Sequence, residues 1–161
     1  MANVEILTQK GHDFLYIDDE LWMWDLPEEI EDQRDIAADA YGRVLVAGYG
    51  LGLVQKFLLE RKHIVDSVLT VERLPEVLDV CKTRYGKLYG DLVICDYYNF
   101  QTLAGFDAVI GDIWANIAER HLEEFEQFDE KAQELLAPRG QVLGWGMDYF
   151  RYLQKRGRYH D

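Results

Sequence analysis

Arg43-Val-Leu-Val-Ala-Gly-Tyr-Gly-Leu-Gly52 decides the fold. Val44 to Ala47 carry no polar side chain, the pattern of a strand buried on both faces. Gly48, Gly50 and Gly52 follow at alternate positions, and Gly52 to Arg61 reads as a helix with Leu53, Phe57 and Leu58 on one side. Glycine is required where a backbone turns sharply or a ligand approaches it closely. A glycine turn between a buried strand and a helix is either a tight connection and nothing more, or the floor of a ligand site.

Working towards the C-terminus, the texture repeats. Ser67 to Val71 predicts a second buried strand, Asp91 to Cys95 a third, Phe106 to Ile110 a fourth and Gln141 to Trp145 a fifth. Between them, Leu74, Val77, Leu78 and Cys81 recur at helical spacing within Leu74 to Tyr85. Ala115 to Leu136 predicts a long amphipathic helix, broken near Gln127-Phe128-Asp129 and ended by Pro138 and Gly140. A short helix, Tyr149 to Lys155, closes the series. Strands alternating with helices imply an α/β fold with a doubly wound, mostly parallel sheet.

Towards the N-terminus the pattern differs. Val4 to Ile6, His12 to Ile17 and Glu20 to Trp24 are short runs split by turn signals at Lys10-Gly11 and Asp18-Asp19. They predict a small antiparallel β extension over residues 1–26, preceding the Rossmann-like domain of 27–161. Pro27 followed by Glu28 and Glu29 starts a helix expected to reach about Tyr41.

Bulk properties narrow the function classes. The 161 residues suffice for one domain with a real core. A net charge of −13 disfavours a nucleic-acid partner and suits a cationic one such as an amine, although solubility alone also accounts for it. The acidic runs Glu28 to Asp39 and Glu119 to Glu130 read as solvated helix faces. The longest apolar run, Val44 to Val54, is too short and too glycine-rich to span a membrane. No secretory pattern opens the chain, and Cys81 and Cys95 sit in no metal-ligand spacing, so we expect a cytoplasmic protein with inert thiols and no metal. The sequence leaves a homodimer open.

In a doubly wound sheet, ligands bind beyond the C-terminal ends of the strands. That rule selects four loops: Gly48 to Gly52 with Tyr49 inside it, Glu72-Arg73, Asp96-Tyr97 and Asp112-Ile-Trp114. The dinucleotide fingerprint is not met, because Leu53 stands where its last glycine or alanine belongs, and no phosphate loop with Gly-Lys-Ser/Thr follows. An adenosyl ligand without phosphates requires neither. It requires a carboxylate for the ribose hydroxyls, and Glu72 lies about 20 residues after the glycine turn, where such an acid is expected. Asp96 reads equally as an acceptor for the adenine amine or as a cap for the following turn. Asp112 ends the fourth strand and could orient or deprotonate a nucleophile. Trp114 walls the site, binds a cation by its face, or simply packs in the core.

These residues resemble the class I S-adenosylmethionine-dependent methyltransferase superfamily, and more narrowly its spermidine synthase branch. Arg43 to Gly52 is similar to motif I, Val71-Glu72 to the ribose-binding acid position, and Cys95-Asp96 to the adenine position. Phe106 to Asp112 resembles the strand that carries the catalytic aspartate, and Phe14 to Trp22 the family's N-terminal hairpin. The resemblance implies that Gly48, Tyr49, Gly50, Gly52, Glu72, Arg73, Asp96, Tyr97, Asp112 and Trp114 surround the ligand, with Asp112 catalytic. The ligand it implies is S-adenosylmethionine, S-adenosylhomocysteine, methylthioadenosine or decarboxylated S-adenosylmethionine. The polyamine half departs from the branch: Leu51 replaces an aspartate, Glu31-Asp32 a Tyr-His pair, Ala115 a second aspartate and Trp22 a glutamine. No segment after Trp145 reads as the closing hairpin of methyltransferases. The expectation is group transfer from a sulfonium donor to a small acceptor. The alternatives are aminopropyl transfer, or a non-catalytic adenosyl-ligand sensor or scaffold.

Overall fold

The computed structural model describes residues 1–111 and 119–160. Three strands come first, β1 (Val4–Gln9), β2 (His12–Ile17) and β3 (Glu20–Trp24), paired antiparallel in the order β1-β2-β3. Helix α1 (Pro27–Ala38) leads into the main sheet: β4 (Gly42–Ala47), α2 (Leu53–Leu59), β5 (Val65–Glu72), α3 (Pro75–Tyr85), β6 (Asp91–Ile94), β7 (Phe106–Gly111), α4 (Leu122–Leu135), β8 (Leu136–Gly144) and α5 (Met147–His160). The five strands lie parallel in the order β6-β5-β4-β7-β8. The chain therefore winds outward from β4 to β6, returns to the other side of β4, and winds outward again. The strand order reverses between β4 and β7, and a crevice for ligands opens at such a reversal.

Each face of the sheet has its own core. Val44, Val46, Val68 and Ile110 meet Ala37, Phe57 and Leu58 from α1 and α2. Leu45, Val71 and Val109 meet Phe125, Phe128 and Phe150 from α4 and α5, where the Phe125 and Phe150 rings stack at 5.0 Å. Helix α3 packs towards the small N-terminal sheet, with Val77, Leu78 and Cys81 against Leu15 and Leu51.

One polar clasp holds that sheet to the domain. Asp13, 3% exposed, accepts from Thr8 Oγ1 (2.6 Å), Tyr85 Oη (2.6 Å) and Arg84 Nη2 (3.3 Å), the last two from the end of α3. Burial raises the carboxyl's pKa, but the hydrogen bonds from Thr8 and Tyr85 and the Arg84 charge outweigh it and hold Asp13 below its ordinary value.

Several boundaries differ from the sequence reading. Helix α1 stops at Ala38 rather than near Tyr41, because the Arg61 guanidinium reaches back to the carbonyls of Ala37 and Ala40 and closes the helix end. Helix α4 runs unbroken through Gln127-Phe128-Asp129, since Phe125, Phe128, Ala132 and Leu135 form one buried stripe. The fifth strand begins at Leu136 and passes through Pro138, which an edge strand tolerates. Arg139 takes a φ of +70° there and the register shifts beside it. The final helix is longer than expected, Met147–His160. The acidic run of α1 is not a wholly solvated face: Glu29 and Gln33 are buried. Among the described residues, no helix is long and apolar enough to cross a membrane.

Candidate functional site

A cavity of about 270 Å³ lies at the C-terminal ends of β4, β5 and β6. Its floor is the glycine turn. Gly48, Gly50 and Gly52 adopt φ of +90°, +59° and +76°, a sequence of left-handed positions that residues with a Cβ rarely sustain. The turn is fixed from below by Gly48 N donating to Val71 O (2.9 Å) and from the side by Glu72.

Glu72 is anchored twice to the backbone of the site. It ends β5, is 8% exposed, and accepts from Tyr49 N through Oε1 (2.9 Å) and from Leu74 N through Oε2 (2.9 Å). One carboxylate thus joins the glycine turn to the start of α3. Each oxygen keeps a lone pair for a further donor. Asp96 lines the same cavity from the end of β6, and its Oδ1 accepts from Tyr98 N (2.9 Å), so it caps the single helical turn Tyr97–Asn99. Tyr97 is buried, stacks on Phe128 at 5.3 Å and donates its hydroxyl to Phe128 O (3.1 Å); burial pushes that hydroxyl's pKa upward. Tyr98 sits edge-on to Tyr97 at the half-open mouth.

The cavity brings together Gly48, Tyr49, Gly50, Glu72, Arg73, Asp96 and Tyr97. Arg73 is exposed, at the rim. Gly52 does not line the cavity. A Cβ there would stand 2.6 Å from the Tyr49 hydroxyl oxygen, which accepts from Tyr89 N (3.0 Å). Gly52 therefore makes room for the buried Tyr49 ring rather than for a ligand. Asp112 and Trp114 lie outside the described residues, immediately after Gly111.

No protein-family model matches the sequence, and no curated protein matches it. Solved structures do resemble it in shape. An S-adenosylmethionine-dependent methyltransferase from Clostridium acetobutylicum ATCC 824 aligns with a TM-score of 0.54 and 14% identity, covering 74% of this chain and 50% of that one. The fold is methyltransferase-like. The CcbJ methyltransferase from Streptomyces caelestis aligns with a TM-score of 0.54 and 19% identity, covering 73% of this chain and 49% of its own. DesVI of Streptomyces venezuelae gives 0.53 and 19%, covering 71% and 49%. The chain spans about half the length of these methyltransferase-fold structures.

Within this methyltransferase-like fold the structure adds residues that sequence patterning missed. The N-terminal sheet roofs the cavity with Leu15, Ile17, Trp22 and Met23. Met23 sits so close to the turn that a Cβ on Gly50 would stand 2.4 Å from its sulfur. Gln33 of α1 and Gln55 of α2, both buried, line the inner end. The spacing Glu29, Gln33, Ala37 carried a usable signal: residues four apart share a helix face, and Ala37 belongs to the core. Glu29 lies behind Gln33 and accepts from its Nε2 (3.0 Å), and burial raises the Glu29 pKa. Cys81 donates its thiol to Gly50 O (3.3 Å) beneath the turn, and burial pushes that thiol up to about 12. Among the described residues no cluster of His, Cys, Asp or Glu has the arrangement of a metal site.

Proposed function

We propose that this chain binds S-adenosylmethionine in the glycine-turn cavity and directs methyl transfer to a small, cationic acceptor. The observation that carries the reading is Glu72: a buried carboxylate, braced on the backbone of the turn itself, at a cavity walled by Asp96 and Tyr98. The residues fit an adenosyl group. Carboxylates face a site without the lysine and hydroxyl of a phosphate loop, and Arg73 is the one basic residue among the described lining. Gly48 and Gly50 would let the ligand approach the backbone, Glu72 would accept from the ribose hydroxyls, and Asp96 would keep a lone pair for the adenine amine.

When bound, the sulfonium supplies an activated methyl group. The protein's own task is then to hold donor and acceptor in line and to exclude water under the Leu15–Met23 roof. Asp112, next after Gly111, is assigned to orient or deprotonate the acceptor. The acidic charge balance supports a cationic acceptor. Methyl rather than aminopropyl transfer is favoured because no diamine clamp forms among the described residues. Glu31 and Asp32 face solvent, and Leu51 is buried against α3.

Titration calorimetry with S-adenosylmethionine and S-adenosylhomocysteine tests the binding. A panel of small amines, monitored for S-adenosylhomocysteine release, tests the transfer. Saturable binding with turnover of at least one acceptor is expected. Binding without turnover of any acceptor moves the reading to a sensor or scaffold, and failure to bind either compound overturns it.

A further inference from the structure

We infer that Gln55 reads the arm of the ligand, its side-chain carbonyl accepting a hydrogen bond from an ammonium group at the cavity's inner end. Gln55 projects from α2, is 0% exposed and lines the cavity. Its Nε2 donates to Gly48 O (3.3 Å) and Thr70 Oγ1 (3.2 Å). A backbone carbonyl can only accept, so Gly48 fixes the amide with its nitrogen towards the turn. The oxygen is thereby turned away, and Oε1 is buried with no donor. A buried amide oxygen is rarely left so in a native protein, and where it occurs it marks a missing partner.

The surroundings specify that partner. Val46 and Ile110 wall the inner end with apolar surface, and the buried Gln33 lines it in front of the Glu29 carboxylate. Glu72 lies across the glycine turn. The one basic side chain among the described lining residues, Arg73, stands exposed on the rim. A buried acceptor left without a donor bonds more strongly to a positively charged donor than to a neutral one.

Position on the sheet says which part of the ligand this is. The polar groups follow the strand order: Asp96 at the end of β6, Glu72 at the end of β5, Gln55 over the turn that ends β4. An adenosyl ligand with its base at Asp96 and its ribose at Glu72 extends its aliphatic arm to Gln55. The inference rests on the adenosyl reading of the cavity and adds to it a residue that discriminates between arms.

The test pairs two ligands that differ by one group, S-adenosylhomocysteine and its deamino analogue. Both are titrated by calorimetry into wild type, Gln55→Leu and Gln55→Met, with circular dichroism to verify that each variant is folded. Wild type should prefer the amino compound by roughly tenfold or more, the worth of one charge-assisted hydrogen bond. Both variants should lose that preference and leave the analogue's affinity within about twofold. Two bound ligands whose affinities both variants shift equally, or not at all, overturn the role of Gln55 and leave the adenosyl reading intact. A wild type that binds neither compound overturns the adenosyl reading and this inference with it.

Discussion

Glu72→Gln separates bracing from binding in a single side chain. The carboxylate satisfies two backbone donors, Tyr49 N and Leu74 N, both at 2.9 Å and in a group 8% exposed. Glutamine keeps one acceptor. Its NH₂ must face the other backbone N–H, so one charge-assisted bond is lost and two donors oppose each other. A hydrogen bond to a charged group contributes about 1.5–3 kcal/mol, and a stranded buried donor costs about 1–3 kcal/mol. Allowing for partial relaxation, we expect destabilisation of about 2–4 kcal/mol. For a chain of this length, 1 kcal/mol corresponds to about 2–4 °C, so the melting midpoint should fall by roughly 5–15 °C. The assay is thermal unfolding followed by circular dichroism, with calorimetry of S-adenosylhomocysteine binding carried out well below the lowered midpoint. Binding should weaken by roughly tenfold or more if the same carboxylate accepts from the ribose. An unchanged midpoint would refute the brace, and a lowered midpoint with unchanged affinity would refute the ribose contact.

Four further outcomes are expected. Asp13 has a folded pKa held below its unfolded value, so the clasp's stabilisation is complete above the unfolded value and is lost as pH falls through the folded one; Asp13→Asn should flatten the acid limb of a stability-versus-pH curve, and parallel curves would contradict this. Gly50→Ala combines a φ of +59° with a Cβ 2.4 Å from the Met23 sulfur, so it should destabilise by about 1–3 kcal/mol, and adding Met23→Ala should recover the steric share but not the backbone share, as read by urea unfolding. Asp112→Asn should reduce methyl transfer by about 10²–10⁴ if the residue is a general base while donor binding persists, and wild type should form no spermidine from putrescine and decarboxylated S-adenosylmethionine.

The parts of this molecule written in local pattern were legible. Val44 to Ala47, three glycines at alternate positions and a helical stripe after them specify strand, turn and helix whatever the rest of the chain does. Glu72 stands where its distance from that turn led us to expect an acid, at the end of β5 and lining the cavity. What could not be read locally was which polar residues would be buried. Gln33 and Gln55 look like ordinary helix polar residues until α1 and α2 close over the sheet. Met23 meets Gly50 because the N-terminal sheet is held to α3, by Leu15 packed against Val77, Leu78 and Cys81 and by Asp13 pinned to Arg84 and Tyr85, more than seventy residues along the chain. Asp96 resolved towards the cap while still lining the cavity, because one carboxylate oxygen serves Tyr98 N and the other remains. Pro138 did mark the end of α4, but the fifth strand starts before it, at Leu136, since an edge strand has room for a residue that cannot donate.

The position of β4 has a bearing on how this protein is made. It is the middle strand, hydrogen-bonded to β5 on one side and to β7 on the other. Its two neighbours emerge from the ribosome at different times. β5 follows within some twenty residues, whereas β7 begins at Phe106, sixty-four residues after β4 begins. During synthesis at about 5–20 residues per second, the central strand of the sheet therefore presents one unpaired edge for several seconds. That interval is a window for chaperone capture or for pairing with another nascent chain, and a translation pause placed between Glu72 and Phe106 should lengthen it and lower the soluble yield.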